Sequence, residues 1–322
     1  MISLLEFFPE SLRSALLDPL VTDICINGPL HIYAETQNRS FHPILSPWKN
    51  STHPDAEMKK WVIDLLTRIG KSWDAKNPFI DAALPTGHRL HIAFPPIASP
   101  GILISIRAHR PTQKNVHELK SRWAHCLNAF WLLQQALLHR ENLLICGATG
   151  SGKTTLAQDL LSEIPEDERL ILLEDTPEIQ PAHPHWIALY TRPPNTDGYG
   201  EITLRSLLKQ CLRMRPDRIV LGECRGAEVL DLLQALHTGH PGSLTTLHAN
   251  SARDGLRRLE MLASLSGVTL PRPLFLDLVA YGLQWIAFTE RNTSGKRVIS
   301  EIHRIEGREG DTILLRPVIQ RP

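Results

Sequence analysis

Residues 143–164 read LLICGATGSGKTTLAQDLLSEI. A short apolar run, a glycine-rich loop and a helix-forming segment follow one another. Gly147, Ala148, Thr149, Gly150, Ser151, Gly152, Lys153 and Thr154 match G-x-x-x-x-G-K-[ST], and strand–loop–helix is the order this loop requires. A chance match somewhere in a chain of this length is about one in a hundred at average composition. The glycines let the loop wrap so that successive backbone N–H groups point inward. The following helix adds its N-terminal dipole. Lys153 places a point charge near the β- and γ-phosphates. The Thr154 hydroxyl suits Mg2+, which takes oxygen ligands and keeps several waters. The reading predicts a nucleoside triphosphate held by residues 147–155, with Thr155 closing the set.

Beyond the loop, short apolar runs at 143–146, 170–173, 219–221 and 244–247 alternate with helical segments at 154–163, 204–212 and 227–237. Continuous apolar strands between helices predict an α/β fold with a parallel sheet covered on both faces. The strand ends then become the place to look for chemistry. LILLEDTPE (170–178) delivers Glu174, Asp175 and Glu178. Asp175 alone also fits a helix N-cap. RIVLGE (218–223) ends in Glu223, with Gly222 where a generic phosphate-loop protein often has aspartate. Glu223 is expected to bind Mg2+ through water or to polarise the nucleophile, so Thr154 and Glu223 form the predicted metal set. His248 closes the strand of TGHPGSLTTLHANS (238–251) and reads as a γ-phosphate sensor. His237, His240 and Cys224 have a spacing that fits no common metal site. In LRMRPDRIVLGECRG (212–226), Arg213, Arg215, Arg218 and Arg225 bracket an apolar run. They are expected to answer the triphosphate, in this copy or a neighbouring one. An arginine supplied from outside such a site is worth about 10³–10⁵ in rate.

The chain has 322 residues, 42% hydrophobic and 21% charged, with formal net charge +1. That length accommodates two domains with substantial cores, and the balanced charge argues against a general nucleic-acid coat. Five cysteines, an odd number with no C-x-x-C, argue against a disulfide framework and a cysteine-only zinc site. The first residues, MISLLEFFPESLRS, lack the basic region of a signal peptide. The most apolar stretches fall short of the ~20 residues that span a bilayer. In the N-terminal part, 23–35 reads as a hairpin about Asn27-Gly28, 55–69 as a helix, and 90–94 and 102–107 as strands. A polar linker is expected at 111–118, followed by an apolar helical face at 119–137. Residues 285–317 read as short strands with a turn at 292–295.

Taken together, GATGSGKTT, LILLEDTPE, RMRPDRIVLGECRG and TGHPGSLTTLHANS resemble, in order, the boxes of the hexameric secretion and pilus-assembly ATPases of the type II/type IV secretion superfamily. DPLVTDICING, LPTGHRLHIAFPP and ISIRAHR resemble that family's N-terminal domain. The resemblance implies a mixed α/β N-terminal domain (1–110), a linker (111–118) and a RecA-like P-loop NTPase domain (119–322). It implies ATP and Mg2+ as cofactors and Glu178 as the catalytic carboxylate, ahead of Glu174. Lys153, Glu223 and His248 complete the catalytic set, while Arg89, Arg107 and Arg215 approach the nucleotide. It further implies a homo-hexamer docked on inner-membrane secretion or pilus-platform proteins. That ring would be cytoplasmic and peripheral at the inner face of the bacterial membrane, with no direct nucleic-acid binding. The tetracysteine insertion common in the type II branch is absent; the compact length, RMRPDRIVLGE and SLTTLHANS are most similar to the tight-adherence pilus and conjugative branches, and EGREGD leans toward the pilus one. Two departures stand out: Thr86 where an aspartate is usual, and Ala148 where a second glycine is common. A P-loop kinase and a nucleotide-gated scaffold without turnover remain as rivals.

Overall fold

The computed structural model describes residues 4–36, 39–74, 78–99, 101–108, 122–195, 199–293 and 295–320. The chain divides into two units, Met1–Pro111 and Thr112–Pro322. The expected linker at 111–118, and Leu119 at the start of the predicted helix, lie outside the described residues.

The first unit is an antiparallel six-stranded sheet in the order β3-β2-β1-β6-β5-β4. Its strands are β1 (Val21–Asn27), β2 (His31–Thr36), β3 (Arg39–Pro43), β4 (Phe79–Ala83), β5 (Arg89–Ala93) and β6 (Leu103–Arg107). Alternate residues point inward: Ile24 and Ile26 on β1, Leu90 and Ile92 on β5, and Ile104 and Ile106 on β6 are buried. That period of two leaves the other face polar. The helix Pro54–Arg68 has proline and two acids in its first turn and Arg68 in its last, as the helix dipole favours. Its Met58, Trp61, Val62, Leu65 and Leu66 join the same core. The sequence reading did not anticipate β3 or β4.

The second unit carries an eight-stranded sheet in the order β14-β13-β12-β7-β11-β10-β8-β9. β12 (Trp285–Arg291), β7 (Leu143–Gly147), β11 (Leu244–His248), β10 (Arg218–Leu221), β8 (Leu170–Glu174) and β9 (Trp186–Tyr190) run parallel. β13 (Arg297–Glu309) and β14 (Thr312–Gln320) add an antiparallel edge. Two cores explain why β7, β8 and β10 are buried at every position. Leu143 and Ile145 face one core with the helices Leu127–Leu138 and Lys153–Leu161. Leu144 and Cys146 face the other, with the helices Leu204–Cys211, Glu228–His237, Ala252–Ser264 and Arg272–Gly282.

Threonine and serine caps set two of these helices. The Thr203 side chain accepts from the Ser206 amide, and Ser251 accepts from the Asp254 amide. The sequence reading missed β9 and the helices Ala252–Ser264 and Arg272–Gly282, and it shortened β13 and β14. Among the described residues no helix is long and apolar enough to cross a membrane.

Candidate functional site: a phosphate loop at the carboxyl ends of the parallel strands

Because β7, β8, β10 and β11 run parallel, their C-terminal ends deliver Gly147, Glu174, Gly222-Glu223 and His248 to one rim. Gly147 pairs with His248 on one side and with Thr289 of β12 on the other. The loop is tight at its base. A Cβ on Gly147 would lie 2.4 Å from the Thr289 carbonyl and 2.5 Å from Ser151 Oγ. Gly150 and Gly152 have φ of 73° and 102°, in the left-handed region that favours glycine. Ala148 needs no such freedom: Arg140 and Arg215 are the non-glycine residues with positive φ among the described ones.

Lys153, 7% exposed, donates to the Gly147 and Ala148 carbonyls at 2.9 and 3.0 Å. Its Nζ lies 3.3 Å from His248 Nδ1, and His248 Nε2 lies 3.1 Å from Glu223 Oε1. One tautomer satisfies both contacts, with the proton on Nε2 donated to Glu223 and Nδ1 accepting from Lys153. The His248 pKa is accordingly lowered, first by burial and then by the Lys153 charge. Burial also lowers the Lys153 pKa, against the opposing pull of Glu223.

Thr154 Oγ1 donates to Glu178 Oε2 at 3.0 Å. Glu178 is held there by its neighbour: Glu174 Oε1 accepts from the Glu178 and Ile179 amides at 3.1 and 3.0 Å. Glu174, 3% exposed, therefore shapes the loop instead of facing the open rim. Gly222 has a steric reason, since a Cβ there would lie 2.8 Å from Glu174 Cγ. Asp175 caps no helix. Its carboxylate accepts from Thr191 Oγ1 at 3.2 Å and pairs with Arg225 at 3.0 Å.

The arginines of 212–226 do not act as a group. Arg218 is fully buried at the opposite end of β10, where it forms a two-pronged pair with Glu168 at 2.6 and 3.0 Å. Its Nη1 donates to the Leu137 and Gly242 carbonyls at 2.6 and 3.2 Å. Its charge is spent inside the fold, which corrects the expectation that it answers a phosphate. Arg213 and Arg215 are exposed ahead of β10, at the rim opposite the loop. Arg225 does reach the site, bridging Asp175 and Glu223, the latter at 2.8 Å. Arg89 and Arg107 lie opposite one another on β5 and β6 of the first unit.

A family model described as type II/IV secretion system protein matches residues 10–280. The chain belongs to the type II/IV secretion system protein family. This secretion ATPase is 35% identical over 313 residues to a Mycobacterium tuberculosis protein named for conjugal transfer, covering 94% of this chain and 87% of the relative. It is 31% identical over 305 residues to the type IV secretion system protein VirB11 of Brucella suis, covering 85% and 82%. In fold it is similar to the Legionella pneumophila ATPase DotB, with TM-score 0.65, 22% identity and coverage of 93% and 81%.

The RecA-like fold and the family are thus those the boxes implied. Sequence reasoning placed short strands and a turn at 285–317, as β12 and β13 bear out, but not their position beside the loop. Thr289 Oγ1 contacts Ser151 Oγ at 2.8 Å, and Arg291 Nε donates to the Gly150 carbonyl at 3.2 Å. The only signal was the register that β12 shares with β7, and that register is invisible along the chain.

Proposed function

We propose that this chain hydrolyses ATP in a ring of identical subunits and powers macromolecule transfer at a membrane-docked secretion complex, on the conjugative side of its family. The observation that carries the reading is the convergence of Lys153, Thr154, Glu178, Glu223 and His248 on one rim. The backbone of 147–155 cradles the phosphates and Lys153 leaves its loop carbonyls for the β- and γ-phosphates. Glu178 accepts a proton from, and orients, the attacking water. His248, neutral, turns its single N–H from Glu223 to the γ-phosphate once Lys153 has left Nδ1.

The donor set fits Mg2+: Thr154 and Glu223 offer oxygen, and this ion uses few protein ligands beside phosphate and water. When bound it would neutralise phosphate charge. Arg89 and Arg107 act as phosphate-contacting arginines. Arg215, at the far rim of its own sheet, serves the nucleotide of a neighbouring copy. The domain boundaries 1–110, 111–118 and 119–322 belong to this proposal, as do the six-membered ring and the peripheral placement at the cytoplasmic face of the inner membrane. The conjugative branch takes its support from the relative named for conjugal transfer and from VirB11.

The test is ATP turnover by the purified chain with and without Mg2+, beside Lys153→Ala. Metal-dependent turnover that Lys153→Ala abolishes supports the reading. Turnover that survives Lys153→Ala contradicts it, and phosphate appearing only when an acceptor is added would mean a kinase.

A further inference from the structure

The phosphate loop has two flanks. On the β11 flank stand Lys153, His248 and Glu223, the end that handles the β- and γ-phosphates in the reading above. The other flank belongs to β12, the neighbour of β7 on the opposite side. Thr289 of β12 pairs in register with Gly147 and contacts Ser151. Side chains alternate along a strand, so Arg291, two residues on, shares the Thr289 face. It reaches the Gly150 carbonyl at 3.2 Å. The chain then turns: the Lys296 and Asn292 amides bond back to Asn292 and Lys296 oxygens at 2.9 Å. Across the hairpin, Arg297 pairs with Arg291. Its stem covers Gly152, where a Cβ would lie 2.9 Å from Arg297 Cδ. Its Nη1 lies 3.4 Å from Thr155 Oγ1. Two exposed guanidinium groups thus stand over Gly150, Gly152 and Thr155.

Arginine in such a place matches phosphate oxygens with its planar fork. The loop backbone itself cradles the α- and β-phosphates. We propose that Arg291 and Arg297 are nucleotide-binding residues that grip the α- and β-phosphates of a nucleoside di- or triphosphate from the β12 side. The inference rests on the ATP reading of the loop. It adds a cis pair of arginines outside all four sequence boxes. Gly152 is then required twice, for its backbone conformation and for the Arg297 stem that crosses it.

The experiment is fluorescence titration of the full chain with ADP and with a non-hydrolysable ATP analogue. Wild type is compared with Arg291→Gln, Arg297→Gln and Arg297→Lys, with thermal melting run on each. A lost charged hydrogen bond weakens binding about ten- to a hundredfold. The expected result is a loss of that size in both Gln variants, equal for ADP and the ATP analogue, at unchanged melting temperature. Arg297→Lys keeps the stem over Gly152 and separates charge from packing, and it is expected to lose less for both ligands. Unchanged affinity in the Gln variants overturns the proposal. A loss confined to the ATP analogue also overturns it, because the contact would then be with the γ-phosphate. A wild-type chain that binds neither nucleotide defeats the ATP reading itself, a different failure from either of these.

Discussion

The Thr154 hydroxyl donates to Glu178 across 3.0 Å, joining the first turn of the loop helix to the segment after β8. Among the carboxylates of 170–178, Glu178 is the one that meets the phosphate loop, while Glu174 holds the Glu178 amide from below. Acid, hydroxyl and lysine are therefore presented by backbone that is already fixed. Such preorganisation is what a phosphoryl-transfer site requires, since catalysis there is mostly positioning and charge stabilisation.

His248 titrates below its ordinary value of 6.5, because burial and then Lys153 favour the neutral ring. The sign follows from linkage. Below 6.5 the unfolded chain binds this proton more readily than the folded one, so this group's contribution makes stability rise with pH through that window and fall on acidification. NMR titration of the ring should give a midpoint under 6.5 in wild type and a higher one in Lys153→Ala. An unmoved midpoint would remove the Lys153 contact from the account.

Glu168 is shifted in the same direction as His248, but there the charged form is the one favoured. Burial alone would raise its pKa, but the Arg218 hydrogen bonds and charge, with Arg140 behind them, outweigh burial and lower it. The contribution is present above the ordinary carboxyl value of 4.5 and is lost as pH falls through the lower folded value. Glu168→Gln leaves Arg218 buried without a counter-charge and should cost about 3–5 kcal/mol at neutral pH. Urea unfolding should show that gap narrowing in acid. A gap independent of pH would mean that the ion pair is not its source.

Gly222→Ala should disturb chemistry more than binding. The added methyl meets Glu174 Cγ at 2.8 Å, and Glu174 positions Glu178. Overpacking of this kind costs about 1–3 kcal/mol. A lower kcat with little change in the KM for ATP is expected. Wild-type kcat would show that Glu174 gives way without moving Glu178.

Much of this was legible along the chain. The loop and the strands that follow it are local patterns. The apolar runs at 143–146, 170–173, 219–221 and 244–247 predicted a buried parallel sheet, and the two cores on its faces explain them. β9 is an edge strand whose WIALY side chains are half-buried or, at Tyr190, exposed, so it lacks the fully buried pattern of the central strands. Arg218 was misread because charge next to an apolar run looks the same whether it faces water or Glu168, 50 residues earlier. Arg225 and Arg291 depend on contacts made by folding. The bridge from Arg225 to Asp175 and the reach of Arg291 to Gly150 are properties of strand order.

In the proposed reaction Glu178 orients the water which splits a nucleotide bound at 147–155. Binding and turnover of ATP by Glu178→Gln, measured on one preparation beside wild type, test it most directly. Wild-type affinity for ATP is expected, with turnover lowered about 10²–10⁴-fold, the range for removal of a general base. Turnover at the wild-type rate in that variant would contradict it.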